Sequence, residues 1–208
     1  MKQDKYRRYA ALYDRVVEPG IDKLRRVALQ LYPSRENIYI LDAGCGTGTQ
    51  LELYKRPGCR LYGVDTSPAM LKVARRKLGD SAELSVQDSS HMTFPDWMFD
   101  LILIIFVLHE MPASLRPAVL TECQRVLKAD GRILVIDFHF GPYSFPGGYL
   151  WRIWRWFMER GAGREHFAYY RDFKKRGGLE PLLAETKSSI DKRVVLPTGA
   201  AAVYLLHK

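Results

Sequence analysis

With 208 residues, 47% hydrophobic and 26% charged, the chain has the size and composition of one globular domain with a sizeable core, and is too short for two independent ones. No low-complexity tract or internal repeat points to disorder or a repeat architecture. The formal net charge of +9 suits nucleic acid, an anionic membrane surface or an acidic substrate, but the basic residues are spread along the chain and equally suit solvated helix faces, so charge alone does not choose.

The first eight residues are charged and are not followed by the apolar stretch of a secretory signal, so a cytoplasmic location is expected. The apolar residues Tyr9, Leu12, Tyr13, Val16, Val17, Leu24, Val27, Ala28 and Leu31 recur at helical spacing, interrupted at Pro19 and Gly20, which predicts two amphipathic helices. Residues 38–41 then form a short buried strand ending at Asp42, followed by a Gly-rich turn and a helix opening near Thr49. The rhythm repeats. Residues 60–64 are a strand ending at Asp65, and Ser67 with Pro68 signals a helix start. A third strand at 82–86 leads to the polar loop Gln87, Asp88, Ser89, Ser90. The run at 101–108 (LILIIFVL) is far shorter than the roughly 20 residues that cross a bilayer and reads as a strand buried on both faces. A helix over 115–127 and a turn at Ala129, Asp130 and Gly131 lead to a fifth strand at 132–138.

Strands alternating with helices predict an α/β fold, a doubly wound and mostly parallel sheet with helices on both faces. After Asp137 the rhythm breaks, and residues 149–160 (YLWRIWRWFMER) form an aromatic helix with Leu150, Ile153, Trp154, Phe157 and Met158 on one face and Arg152, Arg155 and Glu159 opposite. Two readings are open: an interfacial helix in peripheral contact with a membrane, or a lid packing its apolar face over a substrate pocket. A short helix near 169–175 and two antiparallel strands at 185–190 and 202–206 close the chain. Cys45, Cys59 and Cys123 are odd in number and lack a C-x-x-C pair or a histidine at ligand spacing, so reduced thiols and no metal are expected.

The turn Gly44, Cys45, Gly46, Thr47, Gly48 carries the main chemical signal. In an open α/β sheet, ligands bind beyond the carboxyl ends of the strands, where glycines admit close backbone approach and a helix N-terminus faces an anion. The dinucleotide fingerprint needs glycine at position 49, where this chain has Thr49, so the pattern is G-x-G-x-G. Asp42, Asp65 and Asp88 end three successive strands. Asp65 stands where a carboxylate can take both hydroxyls of a ribose; Asp88 could take an exocyclic amine, with the Ser89 N–H reaching a ring nitrogen.

In order, LDAGCGTG, GVDTSPAML, QDSSHMTFPDWMFDLI and LKADGRILVIDF resemble the motif set of class I S-adenosylmethionine (SAM)-dependent methyltransferases over about residues 36–138, and the layout is similar to ubiquinone/menaquinone biosynthesis and other small-molecule methyltransferases. The resemblance implies a seven-stranded sheet whose last strand is antiparallel. It implies that Gly44, Cys45 and Gly46 hold the methionine part of SAM, Asp42 approaches its amino group, Asp65 holds the ribose, and Asp88 with Ser89 the adenine. Thr66, Ser67 and Met70 would line the adenosine pocket, and Tyr6, Tyr9 and Tyr13 are candidates to cover it. His109 follows the fourth strand, where the family places its methyl acceptor, and is the candidate catalytic group; Glu110 stands beside it.

The chain is thus read as one methyltransferase domain: helices at 1–35, cofactor core at 36–138, a helical insertion or lid at 139–178, and antiparallel strands at 179–208. The expected reaction is methyl transfer to a small apolar or aromatic acceptor, lipid or quinone-like, leaving S-adenosylhomocysteine. Two alternatives stay open: a SAM-binding partner protein without transfer, since no catalytic dyad is evident, and an RNA or protein methyltransferase, suggested by the charge. Against the latter, no nucleic-acid module is recognisable, and Val107, Leu108, His109 and Glu110 stand where an N-P-P-Y-type tetrad would lie.

Overall fold

In the computed structural model, which describes Asp4, Tyr6, Ala10 and residues 18–208, a seven-stranded sheet runs in the order β3-β2-β1-β4-β5-β7-β6. The strands are β1 (Tyr39–Ala43), β2 (Arg60–Asp65), β3 (Ala82–Val86), β4 (Phe99–Ile105), β5 (Leu127–Phe138), β6 (Ser189–Val195) and β7 (Ala201–His207). The helices are α1 (Glu18–Leu31), α2 (Thr49–Leu53), α3 (Pro68–Leu78), α4 (Leu115–Val126), α5 (Gly147–Gly161), α6 (Arg164–Lys175) and α7 (Leu179–Glu185). β1 to β5 pair in parallel, and β7 runs antiparallel to both neighbours, in agreement with the sequence reading.

Alternate residues of each central strand face opposite layers. Leu41, Ile102, Ile104, Ile133 and Val135 pack against α4, α6 and α7; Ile40, Leu101, Leu103, Leu134 and Ile136 pack against α1, α2 and α3. Side chains such as Leu101 and Ile102 are fully buried, each contributing about 1.5–3 kcal/mol by transfer from water. The strand order reverses between β1 and β4, which opens a crevice at their carboxyl ends.

Several boundaries differ from the sequence reading. β4 stops at Ile105 because Phe106 adopts φ 56, and residues 108–110 form a 3-10 turn rather than more strand. Ala129, Asp130 and Gly131 are a bulge inside β5, whose register jumps from Phe99 opposite Leu127 to Leu101 opposite Arg132. The expected strand at 185–190 is instead the end of α7 and the start of β6; Leu179, Leu182 and Leu183 have helical spacing and are buried. α6 begins at Arg164, earlier than expected.

The largest departure concerns α5. Of the polar residues placed opposite the apolar face, Arg155 and Glu159 are buried at 1% and 7% exposure while Arg152 is exposed, and Leu150, Ile153, Trp154 and Phe157 face outward, Leu150 at 65% and Phe157 at 64%. The helix is amphipathic, but with its polar stripe inward.

Candidate active site

The Gly-rich turn folds back over the ends of β1 and β2. The backbone N–H groups of Gly44 and Cys45 both donate to Val64 O, at 2.8 and 2.9 Å, and the Gly46 N–H donates to Asp65 Oδ2 at 2.9 Å. Two glycines are required here for different reasons. Gly44 has φ 99, and a Cβ there would lie 2.5 Å from Val107 Cγ2; Gly46 has φ 51, and a Cβ would meet nothing within 4 Å among the described residues. The first glycine permits close packing, and the second leaves open space above the turn. Cys45 is buried beneath the turn, and burial pushes its thiol pKa well up, so it packs as a neutral group.

The three carboxylates stand in a row across this turn, in three different environments. Asp42 is 1% exposed, and its Oδ1 has no hydrogen-bond partner. Burial raises its pKa to about 7, with Arg25 opposing the shift and Asp65 adding to it. Asp65 accepts from Ser67 N at 2.7 Å as well as from Gly46 N, yet burial still raises its carboxyl. Each oxygen retains a lone pair for a further donor. Asp88 is exposed and accepts from Ser90 N and Ser90 Oγ through Oδ1, at 2.8 and 2.7 Å; Ser89 beside it is buried. Ser67 caps α3 by accepting from Met70 N at 3.2 Å, Met70 is buried, and Thr66 is exposed.

Asp4, a residue the sequence reading passed over, accepts from Ser67 Oγ and from Ala69 N at the start of α3. Tyr6 donates its hydroxyl to Glu110 beyond β4. Asp4 and Tyr6 therefore touch opposite flanks of the crevice. Tyr9 and Tyr13 lie outside the described residues.

On the other flank, His109 is 2% exposed and donates through Nδ1 to Asp137 Oδ1 at 2.8 Å. Burial disfavours the charged ring, but Asp137, Glu159 and Glu110 outweigh it and raise its pKa to about 9. Arg116 fixes this turn by donating to Leu108 O at 3.0 Å and to Asp172 and Tyr169 O of α6, at 2.7 and 2.9 Å. The inward face of α5 sits above. Arg155 donates to Ala200 O and the Tyr143 hydroxyl, and its guanidinium lies 4.8 to 5.8 Å from the ring centres of Phe138, Phe140, Trp151, Tyr170 and Tyr143. Glu159 accepts from His166 Nε2 at 2.6 Å. Asp137, Arg155, Glu159 and His166 carried no site role in the sequence reading. Their one signal was the spacing of Arg155 and Glu159 on one face, which looked like an ordinary solvated stripe.

The structure thus places Asp42, Gly44, Cys45, Gly46, Asp65, Thr66, Ser67, Met70, Asp88 and Ser89 around the ends of β1 to β3, with His109 across the crevice at the end of β4. The unpartnered buried Asp42 oxygen and the open space above Gly46 fit a ligand with an amino group, as SAM has.

Residues 41–135 match the family model described as "Methyltransferase domain". A demethylmenaquinone methyltransferase of Thermotoga maritima is 35% identical over 129 residues, covering 61% of this chain and 55% of that protein. The chain spans about half the length of several such curated relatives. One from Thermus thermophilus matches end to end, 35% identical over 214 residues and covering 93% of this chain and 94% of the relative. The crystal structure of a SAM-dependent methyltransferase from Aquifex aeolicus shares the fold, with a TM-score of 0.65 at 16% identity over 95% of this chain and 97% of that one. A relative matched over 94% of its length, and a sheet whose order and turn agree with the motifs, place the chain in the family of class I SAM-dependent methyltransferases.

Proposed function

We propose that this protein transfers a methyl group from SAM to a small, apolar, quinone-like acceptor presented at a membrane surface. The buried Asp42 carboxyl, whose Oδ1 has no hydrogen-bond partner among the described residues, is the observation that carries the cofactor part. Asp42 would hold the cofactor's amino group, Asp65 the ribose hydroxyls, and Asp88 with the Ser89 N–H the adenine, while Met70 walls the pocket. Bound SAM supplies an electrophilic methyl group on a sulfonium leaving group, so displacement needs alignment more than a strong base. The chain's own part is to orient the two partners and to keep water out with the α5–α6 layer. The acceptor class is supported by relatives named demethylmenaquinone methyltransferases.

The outward face of α5 supports the membrane part. Phe145, Leu150, Ile153, Trp154 and Phe157 are exposed, and Arg152, Arg160 and Arg164 around them are exposed cations. Apolar side chains bordered by arginines on a chain of net charge +9 suit the surface of an anionic bilayer. No helix among the described residues is long and apolar enough to cross a membrane. The test is transfer of label from SAM to reduced demethylmenaquinone in anionic vesicles, beside vesicle sedimentation at low salt. Wild type should sediment and turn over, and Trp154→Glu should lose both while still binding S-adenosylhomocysteine. A soluble dimer that Trp154→Glu dissolves, with no sedimentation, would assign the face to a second copy of the chain instead.

A further inference from the structure

Among the described residues, one group of side chains has the composition and spacing of a metal site: His109, Glu159 and His166, whose potential ligand atoms all lie within 4.8 Å of one another. They come from the turn after β4, from α5 and from α6, and all three are buried. Glu159 stands between the two rings, with Oε1 3.8 Å from His109 Nε2 and Oε2 2.6 Å from His166 Nε2.

Three further features belong to metal centres more than to ordinary ion pairs. His109 donates its other ring nitrogen to the fully buried Asp137, which fixes the tautomer and aims Nε2 at Glu159; carboxylates hold metal-ligating histidines in this way. The far nitrogen of His166 faces Glu110 Oε2 at 3.8 Å, a second outer carboxylate. Asp137, Glu159 and Glu110 face two imidazoles, so the cluster carries enough negative charge to welcome a dication in place of the imidazole protons. Two nitrogens and one carboxylate suit borderline divalent ions such as Zn²⁺, and three protein ligands leave a coordination position open.

We propose that His109, Glu159 and His166 form a site for a divalent transition-metal ion of the zinc class that pins α5 and α6 to the carboxyl end of β4. The ligands are 50 and 7 residues apart in sequence, a spacing that no short motif reveals, and so the sequence reading expected no metal. Binding would draw the three ligands inward from their present spread toward the separations set by bonds of about 2.0–2.2 Å. The inference is independent of the methyl-transfer reading.

The test uses the full-length, untagged, metal-stripped protein titrated with Co²⁺, followed by its visible d–d absorption. One equivalent should develop the intense bands of a four- or five-coordinate ion, and Zn²⁺ should bleach them. Glu159→Gln and His166→Ala should abolish the bands, Asp137→Asn should weaken affinity about 10- to 100-fold as an outer carboxylate does, and replacing the exposed His207 by Ala should change nothing. A cooperative thermal melt of the same samples checks folding without relying on the metal or the cofactor. Absence of bands in wild type, or bands that survive Glu159→Gln or His166→Ala in variants that still melt cooperatively, would overturn the proposal.

Discussion

Asp42→Asn should make the ligand-free protein more stable at pH 8 and at the same time impair cofactor binding. Burial holds the Asp42 carboxyl at about 7, against an ordinary 3.8. Between those values the folded chain keeps a proton that the unfolded chain has lost, so stability falls as pH rises from about 4 to about 7, and the full cost is present above 7. At about 1.4 kcal/mol per unit the cost is on the order of 4 kcal/mol. The neutral amide removes it. Thermal unfolding of Asp42→Asn should therefore match wild type near pH 4 and exceed it by roughly 8–16 °C at pH 8. S-adenosylhomocysteine affinity should fall at least about tenfold in the variant, because an amide no longer pairs with the ligand's ammonium group. In wild type, affinity should rise as pH climbs through 7 and Asp42 ionises. Loss of stability at pH 8 on substitution would mean that Asp42 is already ionised and paired without ligand.

Gly44→Ala and Gly46→Ala should separate folding from binding. At Gly44 an alanine must hold φ 99 with its methyl 2.5 Å from Cγ2 of Val107, a β-branched side chain stiff at χ1. Left-handed strain of about 1–2 kcal/mol and overpacking of about 1–3 kcal/mol add, so a loss of roughly 2–5 kcal/mol is expected. At Gly46 the methyl meets no atom of the described residues within 4 Å, so the strain is the main expected cost. Yet it occupies the space above the turn where the cofactor would lie. Gly44→Ala should thus show a strongly lowered melting temperature, and Gly46→Ala a small shift but markedly weaker binding of S-adenosylhomocysteine. Equal melting temperatures would contradict the packing described for Gly44.

The proposed cofactor half of the candidate site was legible because its groups sit near strand ends. Asp42 and Asp65 close apolar runs, the glycines follow Asp42 at once, and Asp88 stands two residues beyond β3, so strand ends locate them without tertiary information. The acceptor half was not. His109 was visible at the end of β4, but its partners Asp137, Glu159 and His166 come from three other elements and meet it only through packing. In α5, helical periodicity correctly put Arg155 and Glu159 on one face but could not say which face turns inward. A preference for apolar burial does not decide it here, because the inner stripe meets a buried aromatic and charged cluster. Likewise, the left-handed Phe106 that ends β4 has no local sequence mark.

The central claim, that the crevice at β1 and β2 binds SAM, is most directly tested by isothermal titration of the purified chain with S-adenosylhomocysteine beside Asp65→Ala. The expected result is saturable one-site binding, weakened by about tenfold or more, or 1.4 kcal/mol, when the Asp65 carboxylate is removed. No heat together with no competition against labelled SAM, or an affinity that Asp65→Ala leaves unchanged, would contradict it.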